Sequence, residues 1–287
     1  MTRTSITVIA LGAILFITAC EGTTSTAEPT DGSTSTAPAP AVDATIGATE
    51  FSFQMPDIVP AGEVTLRYEN IGGQPHFFEA LQVDHIPTEA EIQAALEAED
   101  EPEWILGPVS GASFGLLSPG EGSTATATLE AGTYMFLCFM PDAEGTPHAM
   151  LGMAQPFTVE GEPAGIAPPE PDVNVTVGKD GWVLPDLTGL TGEVTFALTG
   201  EAGASKHSFE VGRMLDDSIT DPKQIDKAFQ QWLGGGYAGE APVSLLGGLF
   251  AVGEDETRTF TVMLETGERY LFHDEASAAN DEFVVAG

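Results

Sequence analysis

Gly62-Glu63-Val64-Thr65-Leu66-Arg67-Tyr68 and Gly192-Glu193-Val194-Thr195-Phe196-Ala197-Leu198 are two copies of one pattern, a glycine followed by alternating character. A period of two marks a strand with one buried face. The residues downstream of each copy repeat as well. A Gly-containing loop leads to His76-Phe77-Phe78-Glu79 in the first and to His207-Ser208-Phe209-Glu210 in the second. One helix comes next. Thr88-Glu89-Ala90-Glu91 has the form of a capping box ahead of Ile92 to Leu96. In the second copy Asp221 is placed to cap, Pro222 takes the first helical position, and Ile225, Ala228, Phe229 and Trp232 form the apolar stripe. Then come a strand and a glycine turn, Thr124 to Leu129 with Gly132, and Thr257 to Leu264 with Gly267. An aromatic strand is next, Tyr134 to Leu137 or Tyr270 to Phe272, and each copy closes on Phe157-Thr158-Val159 or Phe283-Val284-Val285.

The chain thus divides into equivalent segments 43–160 and 171–287, joined by 161–170, a linker by its proline and glycine content. Short strands, frequent turns and one helix per segment predict an all-β protein. The expected architecture is two tandem Greek-key β-sandwich domains, each with one short helix insertion. One helix cannot supply the crossovers of repeated parallel βαβ units.

The first 19 residues read as a secretory signal. Arg3 gives a positive start, and Ile6 to Ala19 is apolar apart from Thr7 and Thr18. That is shorter than the roughly 20 residues a spanning helix needs. The stretch ends Phe16-Ile17-Thr18-Ala19-Cys20, which resembles the bacterial lipobox, with Cys20 as the lipid-bearing residue. An ordinary secreted protein cut near Ala19, or an uncleaved anchor, are the alternatives. Residues 20–42 are rich in Ser, Thr, Pro and Ala and form a tether. The expectation is an extracytoplasmic protein held to the cell membrane through lipid on Cys20.

Among 287 residues, 44 acids stand against 9 bases, a net charge of −35, which argues against nucleic acid as a partner. The imbalance is steepest over 43–160, where Arg67 is the only base, against seven bases in 171–287. Such a field steers cations or a basic partner; solvation in a salty medium is the plainer reading. Two cysteines exclude a disulfide scaffold and a Cys-rich zinc module.

With Cys20 lipidated, Cys138 is the remaining thiol. A buried structural cysteine is the simplest account of it, but its neighbourhood is rich in donors. His148, Met150 and Met153 lie on the loop after it, and His76 comes from an earlier strand of the same segment. Two imidazoles, a thiolate and a weak axial thioether are the ligand set of type 1 copper.

Here the sequence resembles the cupredoxin family, the blue copper proteins of the plastocyanin and azurin kind. The resemblance rests on Asn70-Ile71-Gly72-Gly73-Gln74-Pro75-His76, Pro119-Gly120-Glu121, Ala131-Gly132-Thr133-Tyr134, Cys138, Pro147-His148 and Gly152-Met153. It covers 43–160 and, more loosely, 171–287. It implies one type 1 copper ion in 43–160, with His76, Cys138 and His148 as ligands and Met153 axial. Met150 is the alternative axial group, and Asn70 braces the loop beside His76. The exposed edge of His148 would be the electron port. Nine residues separate Cys138 from His148, more than is usual in plastocyanin-like sites, so the loop must fold back. His85 reads as a surface residue.

Aligning Tyr134 with Tyr270 puts Cys138 on Asp274, and the stretch that carries His148 and Met153 has no counterpart. The second segment is therefore expected to keep the sandwich without copper ligands, although a His207–His273 metal site is conceivable. Copper enzymes of related build place His beside the type 1 Cys, whereas here the neighbours are Leu137 and Phe139, and five His in all are too few for a trinuclear cluster. No His-Glu-x-x-His or phosphate loop occurs. The expectation is a non-enzyme: an electron carrier with a redox protein partner. The alternatives are a copper sequestration or delivery module with a copper-accepting partner, or a metal-free interaction or structural lipoprotein.

Overall fold

The computed structural model describes residues 41–98, 102–109, 111–204, 207–250, 252–274, 276 and 282–286. The signal segment, Cys20 and the tether up to residue 40 lie outside them. In the first half β1 (Ala44–Thr49), β2 (Ser52–Gln54), β3 (Ile58–Pro60), β4 (Gly62–Asn70) and β5 (His76–Val83) precede α1 (Glu89–Glu97). After it come β6 (Ile105–Pro108), β7 (Phe114–Leu117), β8 (Gly122–Leu129), β9 (Gly132–Leu137) and β10 (Ala154–Glu160). The second half has β11 (Val173–Gly178), β12 (Gly181–Trp182), β13 (Gly192–Gly200), β14 (Ser208–Met214), α2 (Ile225–Gly234), β15 (Val243–Phe250), β16 (Thr257–Leu264), β17 (Arg269–His273) and β18 (Glu282–Val285). The described residues are all-β apart from two helices and short 3₁₀ turns. The duplicated sequence motif forms β4 and β13.

The strands join in two sheets that run through both halves. One has the order β12-β11-β13-β16-β8-β4-β1-β2; the other is β18-β17-β14-β15-β7-β5-β9-β10-β3, with β6 also on β5. The halves meet at β8–β16 and at β7–β15, both antiparallel. Ala125 lies opposite Leu66 and Phe260 opposite Phe196, equivalent places in the duplicated strands. Ala125 pairs with Phe260, so a residue meets its own counterpart. Phe114 and Leu249, which face Phe78 and Phe209, pair with each other in the same way. This is the geometry of a two-fold contact within one chain. It removes four strand edges that would otherwise present unpaired backbone groups.

The core arises from the alternation. Tyr68, Phe78, Phe114 and Phe136 in the first half and Phe196, Phe209, Phe260 and Phe272 in the second are all buried in one cluster. Rings of this size each remove some 150–250 Å² from water and dominate the packing. Tyr68 stacks on Phe114 at 4.5 Å, and its hydroxyl donates to the Ala112 carbonyl at 2.9 Å. The capping box at Thr88 forms as its sequence predicts: Glu91 N–H donates to Thr88 Oγ1, and Thr88 N–H to the Glu91 carboxylate. The second helix starts differently. Pro222–Gln224 make a 3₁₀ turn and α2 begins at Ile225, because the Gln224 N–H bonds the Asp221 carbonyl three residues back.

At the junction β15 carries a bulge, two residues facing one on β14 between Glu210 and Gly212. Gly247 lies in it at φ +92°, and a Cβ there would stand 2.1 Å from the buried Phe114 ring. Gly247→Ala combines left-handed strain with overpacking. It is expected to cost about 2–5 kcal/mol, read as a lowered urea midpoint. Gly189→Ala, also left-handed (φ +84°) but with nothing within 4 Å, incurs the strain alone and costs less. Equal losses would mean that the Phe114 contact contributes nothing.

Candidate metal centre

β5 and β9 are neighbours in one sheet, with Glu79 opposite Leu137. That register brings His76, the first residue of β5, beside Cys138, the residue after β9. The backbone N–H of Phe77 donates to Cys138 Sγ at 3.3 Å. The remaining imidazole arrives through the loop. Asp142 closes its tip: its N–H donates to the Thr146 carbonyl at 2.8 Å, and its Oδ1 accepts from the Glu144 and Thr146 N–H groups. Pro141 bridges Pro147, His148 N–H donates to the Met140 carbonyl and Ala149 N–H to the Cys138 carbonyl, each at 2.8 Å. The nine intervening residues thus form a hairpin that returns His148 to Cys138. A 3₁₀ turn, His148–Leu151, then ends at Gly152 with φ 112°. Met153 comes next, its N–H bonded to the His148 carbonyl and its own carbonyl accepting from Cys138 N–H.

Asn70 holds the other side. Its Nδ2 donates to the carbonyls of Gln74 (2.7 Å) and Leu117 (2.8 Å), and its Oδ1 accepts from Gly72 N–H. This fixes the turn that enters β5. A Cβ on Gly72 would lie 2.9 Å from His76 Nε2, so the turn packs against the imidazole only because residue 72 is glycine.

The result is a cluster of three buried donors, His76, Cys138 and His148, with ligand atoms within 4.8 Å of one another. Cys138 Sγ lies 3.9 Å from His76 Nδ1 and 3.5 Å from His148 Nδ1. Trigonal coordination with metal–N near 2.0 Å and metal–S near 2.3 Å requires N···S of about 3.7 Å. The donors therefore fit a single ion without rearrangement of the strands. His148 Nε2 bonds Gln74 Oε1 at 3.1 Å; with that nitrogen donating, the lone pair sits on Nδ1, which faces the sulfur. His76 Nε2 is buried without a partner among the described residues. Burial, joined by the charge of His148, pushes the His76 imidazole down to about 4, and burial also lowers His148. Burial raises the Cys138 thiol to about 12, against the pull of the Phe77 and Met140 N–H groups. Both rings are thus neutral at pH 7, as metal ligands must be, and the thiol surrenders its proton only to a cation.

The two methionines separate clearly. Met153 is wholly buried in the cluster that contains Cys138, whereas Met150 is 38% exposed. The expectation of an exposed His148 edge does not hold. His148 has no accessible surface, because Gln74 bonds its outer nitrogen and Phe51 meets its ring edge-on at 5.1 Å. Gln74 lies 74 residues from His148, and no local pattern reveals that pairing. His85 sits on the surface beside Asp84 and Glu91. Gly111-Ala112-Ser113-Phe114-Gly115 matches the Gly-x-Ser-x-Gly spacing of hydrolase elbows. Its serine is buried, bonded to the Ala80 backbone, and leads into β7 rather than a helix.

In the second half Asp274 stands where Cys138 stands in the first. Its carboxylate bonds His207 Nδ1 at 2.7 Å and accepts from the Ser208 and Ala276 N–H groups, while His207 Nε2 meets the Lys179 carbonyl. His273 pairs across the sheet with Glu210.

No protein-family model matches the chain, and no curated protein does. Among solved structures it is similar to dithionite-reduced auracyanin from the photosynthetic bacterium Roseiflexus castenholzii, with 23% identity and a TM-score of 0.28. That match covers 41% of this chain and 95% of the other. Auracyanin A, a blue copper protein from Chloroflexus aurantiacus, matches at 22% identity and TM-score 0.26, over 40% and 96%. A multicopper oxidase matches at 12% identity and TM-score 0.23, over 85% and 88%. These scores are too low to carry an assignment; the fold rests on the strand pairings and the site on its geometry.

The depressed His76 pKa makes the metal-free protein acid-sensitive. The unfolded chain takes up a proton near pH 6.5, while the folded one resists until about 4. Stability is therefore full above 6.5 and declines as pH falls from 6.5 to 4. Urea midpoints across that range should fall, and His76→Gln should flatten the slope. An unchanged slope in that variant would remove His76 as its source.

Proposed function

We propose that the chain is a copper-binding protein of cupredoxin type, built from two tandem sandwich halves. It serves as a one-electron carrier tethered outside the membrane through Cys20. The observation that carries this reading is the convergence of two neutral imidazole Nδ1 atoms on one buried thiol that also accepts a backbone N–H bond. Copper held there would cycle between Cu(II) and Cu(I). The chain's own part is to keep the donors in one arrangement for both states. β5 and β9 fix His76 and Cys138, the hairpin fixes His148, and Gln74 fixes the tautomer. Burial of all three donors excludes water and opposes the rapid exchange that a delivery module needs. A basic redox partner suits the acidic surface of the first half, where Arg67 is the only base.

The test uses residues 43–287, because the two halves share both sheets. With one equivalent of Cu(II) this protein should show an intense visible thiolate band, and Cys138→Ser should abolish it. A wild-type protein that takes up no copper, or takes it up without the band, would sink the reading.

The axial position separates the methionines. Met153→Leu should change the reduction potential, since a weak axial thioether tunes it. Met150→Leu should leave the potential unaltered. Cyclic voltammetry with the opposite pattern would move the axial role to Met150.

A further inference from the structure

The second half reaches the metal centre. α2 ends in Gly234, and the chain turns through Gly235 and Gly236 to Tyr237. Gly236 has φ 67° and Tyr237 φ 62°, so a bulky residue is held in the left-handed region. That conformation is strained for a residue with a Cβ, and persists only where contacts fix it. Two sets of contacts do so. The Tyr237 ring meets Trp232 edge-on at 5.0 Å, and the Trp232 indole donates to the Gly239 carbonyl. The Tyr237 hydroxyl crosses to the first half and donates to the Pro141 carbonyl. Gly236 backs onto the same loop: a Cβ there would lie 3.5 Å from the Ala143 carbonyl oxygen.

Pro141 is the residue that bridges Pro147, immediately before His148. It has no N–H, so its carbonyl is the one backbone hydrogen-bonding group it offers. Burial, joined by the negative charge of Asp142, pushes the phenol's ionisation up, so it remains a donor. We propose that Tyr237 is a positioning residue of the metal centre, by which the second half clamps the Cys138–His148 hairpin and sets where His148 Nδ1 stands relative to Cys138 Sγ. This rests on the copper reading of that centre. It gives the half in which Asp274 replaces the cysteine a function at the site of the other.

The test compares Tyr237→Phe with Tyr134→Phe in the 43–287 protein. Tyr134 makes the same kind of bond, to the Glu130 carbonyl at 2.7 Å, in the turn ahead of β9. Tyr237→Phe should still bind one copper, with an altered thiolate band and altered EPR hyperfine splitting, and should release copper to a chelator at least ~10-fold faster. In the metal-free protein its His148 and Ala149 amides should exchange faster with deuterium. Tyr134→Phe should lower Tm without those changes. If Tyr237→Phe lowers Tm and leaves spectrum, release and exchange at wild-type values, the residue is merely structural and the proposal falls. A wild-type protein without the thiolate band overturns the copper reading instead, and the metal-free exchange then decides the clamp alone.

Discussion

A thiol enclosed by two imidazoles and shut off from water is an arrangement that an apolar core resists, and the architecture of the first half is organised around it. Its three donors come from the start of β5, the end of β9 and the loop beyond. None is supported by its own sequence neighbours alone. The β5–β9 register sets the His76–Cys138 separation, and the hairpin sets that of His148. Around them the unmet polar needs of burial are answered piece by piece. Phe77 N–H reaches the sulfur, Gln74 the outer nitrogen of His148, and Asn70 the turn that delivers His76. Such outer contacts hold ligands in place before an ion arrives, which lowers the cost of ordering them on binding.

The duplicated half shows what happens to the same frame when the thiol is replaced. Asp274 and His207 form a buried acid–imidazole pair in which both carboxylate oxygens and both ring nitrogens have partners. A metal is then unnecessary to satisfy the site. This half instead contributes strand pairing at β15 and β16 and the reach of Tyr237 across the junction. The two-fold contact explains how both can coexist: equivalent edge strands meet, so the sheets close their exposed edges on each other.

Burial of His148 bears on the electron exchange proposed for this centre. His148 is sealed from solvent by Gln74 and Phe51, so a redox partner could not touch its imidazole edge directly. For the proposed carrier, the residues that cover the centre, rather than the ligands, would form the surface that a partner meets.

Much of this was legible in the chain. The alternation of Gly62–Tyr68 and its copy at Gly192–Leu198 decides the strand class, because a period of two suits a strand and not a helix, although Val64–Leu66 and Val194–Leu198 are buried on both faces once the sheets pack. Thr88 and Glu91 decide a helix start through bonds within one turn. His76, Cys138 and His148, which the fold brings together, could be picked out because thiol and imidazole side chains are rare in this chain. What sequence could not supply depends on groups far apart along the chain. The return of His148 needed the Asp142 turn and the Pro141–Pro147 bridge; the choice of Met153 as the buried sulfur needed the core around it. The shared sheets needed the meeting of β7 with β15 and β8 with β16. Local hydrogen bonding and periodicity are written in neighbouring residues. Burial and the covering of His148 by Gln74 come into being only when distant segments of the first half are brought together in space, and the Tyr237–Pro141 bond only when the two halves meet.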